Sequence, residues 1–277
     1  MINGNTDIIA HIGYPTHTFK SPMIYNPYFE QAGINAVVVP MACRPGSFAE
    51  LLKAIFTLEN ACGALITMPH KVTVVDLLDE VTPTVRVAGA CNAVKKLADG
   101  RLVGDMFDGA GFVRGVQRKG FEMAGKRALV VGTGGVGCAI AASLADAGIA
   151  AISLFDVNTA SCEALAQRLK DHYSQIAVHT GSSDPTGHDL VVNATPMGMN
   201  ADDPLPMDIS RLSPQTFVGE VVMKTETTAF LAAARARGCP VQVGTDMLFE
   251  QIPAYLEYFN LPSTTAEELR RVAQLSY

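Results

Sequence analysis

The sequence predicts an α/β protein built from two domains. Its 277 residues are about twice the length of a common single domain. Hydrophobic residues make up 48% of the chain and charged residues 17%, which excludes a disordered chain and supports a sizeable core. Short apolar runs alternate with helical patterns, and this alternation favours largely parallel sheets.

The first domain is predicted to span residues 1–108. Pro22 stands at a first helical position, and Ser21 before it is expected to be the N-cap. The dipeptide Asp99-Gly100 is typical of a hairpin turn. The predicted elements are strand 7–12, helix 22–32, strand 36–39, helix 48–56, strand 63–67 and a hairpin of 91–97 with 102–104.

The second domain is predicted to span residues 109–246, with the junction on a helical pattern at 107–118. Residues 247–277 form two predicted helices, 247–259 and 265–276, separated by Pro262 and expected to pack back on the first domain. The other predicted elements are strands 128–131, 151–155, 176–179, 190–192 and 217–222, and helices 136–147, 159–170 and 227–237.

Composition excludes several classes of protein. The net charge of −6 argues against a general nucleic-acid binder. The six cysteines form no CxxC pair and the six histidines are scattered, so we expect reduced thiols in a cytoplasm and no metal site. No signal peptide is expected, and the uncharged stretch 128–145 is better explained by a strand, a glycine turn and a helix than by a membrane span.

That glycine turn matches G-x-G-x-x-G at Gly132, Gly134 and Gly137. An apolar strand precedes it and a helix follows it, which is the context of a Rossmann-type dinucleotide-binding domain. The free N–H groups of the helix N-terminus would hold the pyrophosphate. A glycine-rich turn without a ligand is the alternative. The predicted cofactor-binding residues of the turn are Gly132, Thr133, Gly134, Gly135, Val136 and Gly137.

Asp156 ends the next predicted strand, 24 residues after Gly132. A carboxylate there accepts hydrogen bonds from ribose hydroxyls and repels a 2′-phosphate. Val157 and Asn158 follow, and residues 157–161 contain no Arg or Lys to hold such a phosphate. The sequence therefore favours NAD over NADP. The alternative role for Asp156 is a helix N-cap, although Asn158 could also be the cap.

Ordered motifs resemble the shikimate dehydrogenase family over nearly the whole chain. Besides the glycine turn they are Gly13-Tyr14-Pro15 with Lys20-Ser21-Pro22, Thr67-Met68-Pro69-His70-Lys71, Gly89-Ala90-Cys91-Asn92, Gly104-Asp105-Met106-Phe107-Asp108-Gly109, Val192-Asn193-Ala194-Thr195 and Met247-Leu248-Phe249-Glu250-Gln251. Each motif alone is modest, and their shared order is what indicates the family.

The resemblance implies a substrate-binding domain, a Rossmann-type domain and a cleft between them. It implies hydride transfer between a nicotinamide cofactor and a ring alcohol, with Lys71 and Asp108 as the catalytic pair. As an ammonium, Lys71 would stabilise the forming alkoxide and donate the proton. The implied substrate-binding residues are Ser21, Thr67, Lys71, Asn92, Asp108 and Gln251, and the further cofactor-binding residues are Asn193, Thr195, Val221 and Gly244.

The chain departs from the family pattern at five places: residues 19, 65–66, 106–107, 156–158 and Asp246, which stands where the family has a glycine. The first loop has Phe19 where the family's Ser-x-Ser-Pro has its first serine, and Thr18 or Thr16 could supply a substitute hydroxyl for the substrate carboxylate. Met106-Phe107 replaces Asn-Thr, and residues 156–158 replace the Asn-Arg-Thr common in NADP-dependent members. These changes suggest a divergent member, and quinate and aminoshikimate-type substrates stay open beside shikimate.

Two rival functions accompany this hypothesis. One is a non-catalytic NAD-binding regulator, which the lost serine favours and the retained Lys71, Asp108, Asn92 and Gln251 disfavour. The other is a dehydrogenase acting on methylenetetrahydrofolate, against which the 104–109 motif argues. The expected partners are a hydroxylated cyclic carboxylate and NAD, without nucleic acid or membrane, and a homo-oligomer stays open.

Overall fold

In the computed structural model, which describes residues 2–276, the chain divides into two compact units. The first unit contains the chain up to Phe107 together with Gln251–Ser276, and the second contains Asp108–Glu250. The sequence placed these divisions after residues 108 and 246. The second division falls inside a continuous helix, so no loop or change in composition marks it. Residues 1 and 277, the outer ends of the expected domains, lie outside the described residues.

The first unit contains a mixed six-stranded sheet in the order β2-β1-β3-β5-β6-β4. The β1, β2 and β3 strands run parallel, whereas β5 is antiparallel to both β3 and β6, which confirms the predicted hairpin. Sequence patterning missed the two-residue β4. The strands are β1 (Asp7–Gly13), β2 (Ala36–Ala42), β3 (Ala61–Ile66), β4 (Glu80–Val81), β5 (Ala93–Lys96) and β6 (Leu102–Asp105).

The first helix shows how local sequence sets its two ends. It begins at Pro22, where proline needs no N–H donor, and Gly33 ends it in the left-handed conformation with φ 68°. Ser21 was expected to cap it, but Ser21 is itself helical and its side chain makes no capping hydrogen bond. The helices of this unit are α1 (Pro22–Ala32), α2 (Phe48–Ile55), α3 (Pro83–Ala88) and α9 (Ala266–Val272).

The second unit contains an all-parallel six-stranded sheet in the order β12-β11-β10-β7-β8-β9. Numbered from β7, this is the strand order 3-2-1-4-5-6 of the Rossmann fold. The chain adds β8 and β9 on one side of β7 and then β10, β11 and β12 on the other, so the direction of strand addition reverses between β7 and β10. The strands are β7 (Arg127–Val131), β8 (Ala151–Phe155), β9 (Ala177–Thr180), β10 (Leu190–Asn193), β11 (Phe217–Glu220) and β12 (Val241–Gln242).

Apolar side chains of these strands and of the covering helices form the core of the second unit. One buried cluster joins Leu129 and Val191 to Phe230 and Leu231. Within the described residues, no helix is both long enough and apolar enough to cross a membrane. The helices are α4 (Asp108–Arg118), α5 (Gly135–Asp146), α6 (Thr159–His172), α7 (Ala229–Ala236) and α8 (Gly244–Tyr258), the last of which crosses the division at residue 250.

Candidate functional site

In the first unit, the loops that follow β1 and β3 pack closely together. A Cβ atom on Gly13 would lie 2.8 Å from the Met68 carbonyl oxygen and 2.9 Å from Phe19 Cζ, and it would clash with Thr67 Cγ2. Glycine is therefore needed for this approach. The Thr67 N–H donates to the Ile12 carbonyl at 2.9 Å, which fixes the start of the second loop against the end of β1.

The second loop places Lys71 beside the segment that contains Asn92. The Cys91 N–H donates to the Lys71 carbonyl at 2.8 Å, and the Ile66 N–H donates to the Asn92 carbonyl at 2.8 Å. Thr67 and Lys71 are half-buried, whereas Asn92 is buried. Three of the predicted substrate-binding residues therefore lie on neighbouring segments of one sheet edge.

The side-chain amides of Asn92 and Gln251 each keep a buried polar atom without a partner. Asn92 Oδ1 accepts from the Phe107 N–H at 2.9 Å, but its Nδ2 has no hydrogen-bond partner among residues 2–276. Gln251 lies on α8, one turn before Tyr255, whose hydroxyl donates to the Asn92 carbonyl at 3.3 Å. Gln251 Oε1 is likewise buried without a partner in the described chain. One amide thus offers a donor and the other an acceptor.

The first loop carries the hydroxyl groups of Ser21 and Thr18. Ser21 is buried and makes no capping bond, and Thr18 is half-buried. The Phe19 ring stacks on His11 with centroids 4.0 Å apart. An aromatic pair therefore takes the place where the family pattern has a serine. Asp108, the other predicted catalytic residue, is buried at the start of α4 in the second unit.

In the second unit, the glycine turn follows β7 where the strand order reverses. Gly132 has φ 100°, and a Cβ there would lie 2.7 Å from the Ala194 carbonyl carbon and 2.9 Å from Thr195 Cγ2. A Cβ on Gly137 would clash with the Gly132 carbonyl oxygen. A Cβ on Gly134 would meet nothing within 4 Å, so this backbone is open to a ligand. Gly135 and Val136, both half-buried, begin α5.

Asp156 is tied to the glycine turn. Its Oδ2 accepts from the Thr133 backbone N–H at 2.5 Å and from the Thr133 hydroxyl at 3.1 Å. Its Oδ1 accepts from the Asn158 N–H at 2.8 Å. The alternative that Asp156 caps α6 is wrong, because Asn158 Oδ1 accepts from the Ser161 N–H and is the cap. Val157 is 93% exposed.

The remaining predicted cofactor residues lie on the segments after β10 and β11. Asn193 Oδ1 accepts from the Thr195 hydroxyl at 2.6 Å and its Nδ2 donates to the Met197 carbonyl at 3.0 Å. The Val221 N–H donates to the Asn193 carbonyl at 3.2 Å. A Cβ on Gly244 would lie 2.9 Å from the Val221 carbonyl carbon. The structure therefore brings these four residues to one edge of the parallel sheet.

Sequence reasoning missed Glu220, a buried carboxyl group at the end of β11. Burial raises the pKa of Glu220 to about 7, while hydrogen bonds from Thr228 and Asn193 oppose that shift. The Thr228 hydroxyl lies 2.9 Å from both carboxylate oxygens, and it also caps α7. The available signal was an acidic residue that ends an apolar run. His11, a lone polar residue within the apolar β1, was missed in the same way.

Among residues 2–276, no group of three or more His, Cys, Asp or Glu side chains is arranged to hold a metal ion. The donor sets present are instead amides, hydroxyls and backbone N–H groups, which suit hydroxylated and phosphorylated organic ligands.

Comparison with known proteins gives relatives that match almost the whole chain. The family described as "Shikimate dehydrogenase substrate binding domain" matches residues 11–94. Shikimate dehydrogenase (NADP(+)) of Desulforamulus reducens is 34% identical over 263 residues, covering 90% of this chain and 88% of the relative. The solved structure of quinate dehydrogenase from Corynebacterium glutamicum in complex with NAD is 30% identical, with a TM-score of 0.86, covering 96% of this chain and 98% of the other.

A further similar structure is the ligand-free form of 5-ketofructose reductase from a Gluconobacter strain. It is 26% identical, with a TM-score of 0.86, and 98% of each chain is covered. The similar proteins thus include dehydrogenases and a reductase with different named substrates, and both NAD and NADP occur in their names.

Proposed function

The chain belongs to the shikimate dehydrogenase family, and from this premise we propose that it oxidises a ring hydroxyl of shikimate, or of a close analogue, to the 3-dehydro form with NAD as hydride acceptor. A nicotinamide dinucleotide and an oxidoreductase activity follow from the family itself. The choice of substrate and the preference for NAD are the proposal.

The observation that carries the substrate class is the pair of unsatisfied amides. A buried donor on Asn92 and a buried acceptor on Gln251 each cost free energy while they stay unpaired. A ligand hydroxyl can accept from the first and donate to the second. A polyhydroxylated ring is therefore the ligand that these groups fit, with Thr67 and Ser21 as further hydroxyl contacts from the neighbouring loops.

Lys71 is the residue that we assign to proton transfer. When bound, the nicotinamide supplies the chemistry of hydride acceptance and donation. In the reducing direction the Lys71 ammonium stabilises the forming alkoxide and donates a proton to it, which leaves a neutral amine. In the oxidising direction the neutral Lys71 amine accepts the hydroxyl proton and becomes the ammonium again. Asp108, buried at the start of α4, is the second residue assigned to this step.

The preference for NAD is supported by the residues around Asp156. Its carboxylate already accepts three hydrogen bonds, from Thr133 N, Thr133 Oγ1 and Asn158 N. A carboxylate has about four acceptor sites, so one remains for a ribose hydroxyl. A 2′-phosphate would be repelled, and the exposed Val157 offers it no cation. Gly134 leaves room for the pyrophosphate at the start of α5.

The direct test is the initial rate of reduced nicotinamide formation with shikimate and with quinate, each with NAD and with NADP. We expect NAD-dependent oxidation of one or both compounds. A higher kcat/KM with NADP would overturn the argument from Asp156. NAD binding without turnover of either compound would favour the non-catalytic regulator.

Quinate is the second candidate substrate, because the chain is 30% identical to a quinate dehydrogenase solved with NAD. The same rate measurement ranks the two compounds. A cytoplasmic location belongs to this proposal as well, and it is supported by the six cysteines, which are free thiols in the structure.

A further inference from the structure

His11 is a buried polar side chain inside the apolar strand β1. It is 6% exposed, and its Nδ1 has no hydrogen-bond partner among residues 2–276. Folded chains satisfy nearly all buried polar atoms, because an unpaired one has lost its water without gaining a partner. The exceptions are therefore candidates for contact with a bound group.

The register of the sheet places His11 on the same face as Thr67, one of the candidate substrate residues. His11 pairs with Leu65 of β3, and Gly13 lies two residues further along β1. Since side chains alternate along a strand, His11 and Gly13 share one face with Leu65 and with Thr67 just beyond it. His11 is thus the neighbour, on the same face of the sheet, of the place where Gly13 contacts Thr67.

The Phe19 ring fixes the plane of the imidazole. The two rings stack with centroids 4.0 Å apart and an angle of 25° between their planes. Phe19 also packs against Gly13, so it belongs to the same face and brings no hydrogen-bonding group to it. The imidazole nitrogens are therefore the polar atoms that this stacked pair offers.

The imidazole is uncharged at physiological pH. Burial, followed by the nearby positive charge of Lys71, lowers the pKa of His11 to about 3. A neutral imidazole nitrogen exchanges a hydrogen bond with a hydroxyl, as donor or acceptor according to its tautomer. It supplies no positive charge to hold a carboxylate.

His11 has the same property as Asn92 and Gln251, the two amides that the proposed function assigns to the substrate: a buried polar atom without a hydrogen-bond partner in the described chain. All three are buried in the first unit and keep an unpaired polar atom there. We propose that His11 Nδ1 hydrogen-bonds an uncharged ring hydroxyl of the substrate and so positions the ring beside Lys71. This inference rests on the proposed function, since the ligand is the substrate of that reaction.

Enzyme kinetics of the 277-residue chain test this contact. His11→Phe keeps an aromatic ring on Phe19 but removes both nitrogens, and we expect KM for shikimate to rise about tenfold with kcat changed less than about twofold. His11→Asn, which restores a polar atom, should recover part of the loss. His188→Phe is the matched control, because His188 Nδ1 is also buried without a partner in the described chain. His188 lies two residues before β10, outside the candidate substrate site.

The methyl ester of shikimate decides which group His11 contacts. If the contact is with a ring hydroxyl, His11→Phe raises KM for the ester by the same factor as for the acid. An effect seen with the acid alone would assign the contact to the carboxylate and overturn the inference. Unchanged KM values for both compounds would also overturn it and leave Nδ1 to a bound water.

Nuclear magnetic resonance of the histidine ring nitrogens separates this inference from the proposed function. The protein without cofactor is titrated with shikimate, and the His11 signals are assigned from their absence in His11→Phe. We expect the Nδ1 resonance of His11 to shift and that of His188 to stay. A shift without turnover would refute the reaction but keep the contact, whereas turnover without a shift would refute the contact alone.

Discussion

Glu220 gives the protein a pH-dependent stability whose size can be worked out from its burial. The side chain is fully buried, and its pKa rises from an ordinary 4.5 to about 7. Between these values the folded chain holds a proton that the unfolded chain has released. The contribution of Glu220 to the free energy of unfolding is therefore fully present below pH 4.5 and is lost as the pH rises through about 7. The loss amounts to about 3 kcal/mol, at 1.36 kcal/mol per unit of pKa.

Glu220→Gln should remove this dependence. Glutamine resembles the protonated carboxyl group and can still accept from the Thr228 hydroxyl. The free energy of unfolding of both proteins is measured by urea denaturation from about pH 4.5 to 8.5. We expect the difference, variant minus natural chain, to increase by about 3 kcal/mol as the pH rises to 7. Above pH 7 the gap should stay constant.

Glu226→Gln is the matched control, because Glu226 is exposed and six residues away in sequence. Its stability should follow that of the natural chain at every pH. Parallel curves for Glu220→Gln and the natural chain would refute the reasoning, since they would mean that Glu220 titrates alike in the folded and unfolded states. A gap that opens only below pH 5 would refute it as well.

Three further outcomes concern the reaction. Lys71→Ala should lower kcat at least about a hundredfold with little change in KM, and a near-normal kcat would remove Lys71 from the chemistry. The control is Lys53→Ala, an exposed residue of α2, which should leave both kcat and KM unchanged. Asp156→Asn should lower the ratio of kcat/KM for NAD to that for NADP about tenfold, and an unaltered ratio would contradict the ribose contact. Gln251→Met should raise KM about tenfold, and an unchanged KM would remove Gln251 from the substrate site. Tm, measured by calorimetry, should fall by no more than about 3 °C, because the lost oxygen has no partner in the described chain.

Elements with a strong local signal could be predicted from the sequence. The bounds predicted for α1 match the structure because Pro22 is favoured at the first position of a helix and Gly33 is favoured directly after its end. The strand predicted at 151–155 matches β8, a strand of the parallel sheet. The two-residue β4 and β12 could not be found, because a pair of residues shows no periodicity and pairs only through the rest of its sheet.

Side chains whose role depends on burial were harder to predict. An acidic residue that ends an apolar run is the local signal of Glu220, but its burial and the raised pKa that follows from it come from packing within the second unit. The expected cap at Ser21 failed for a related reason. The Lys20 and Ser21 carbonyls already accept from the N–H groups of Met23 and Ile24, so the backbone is helical before the serine is reached.

Asp156 shows how a correct position can carry an unforeseen role. The spacing from Gly132 offered two roles for this carboxylate, a ribose acceptor or a helix cap, and the cap is Asn158. The structure adds a third role, because the bond from the Thr133 N–H joins the carboxylate to the glycine turn itself. Removing the charge at Asp156 should therefore disturb the phosphate-binding backbone as well as the ribose contact. A variant that keeps an oxygen acceptor, Asp156→Asn, should retain more NAD affinity than Asp156→Ala, and equal affinities would mean that the tie to Thr133 does not shape the turn.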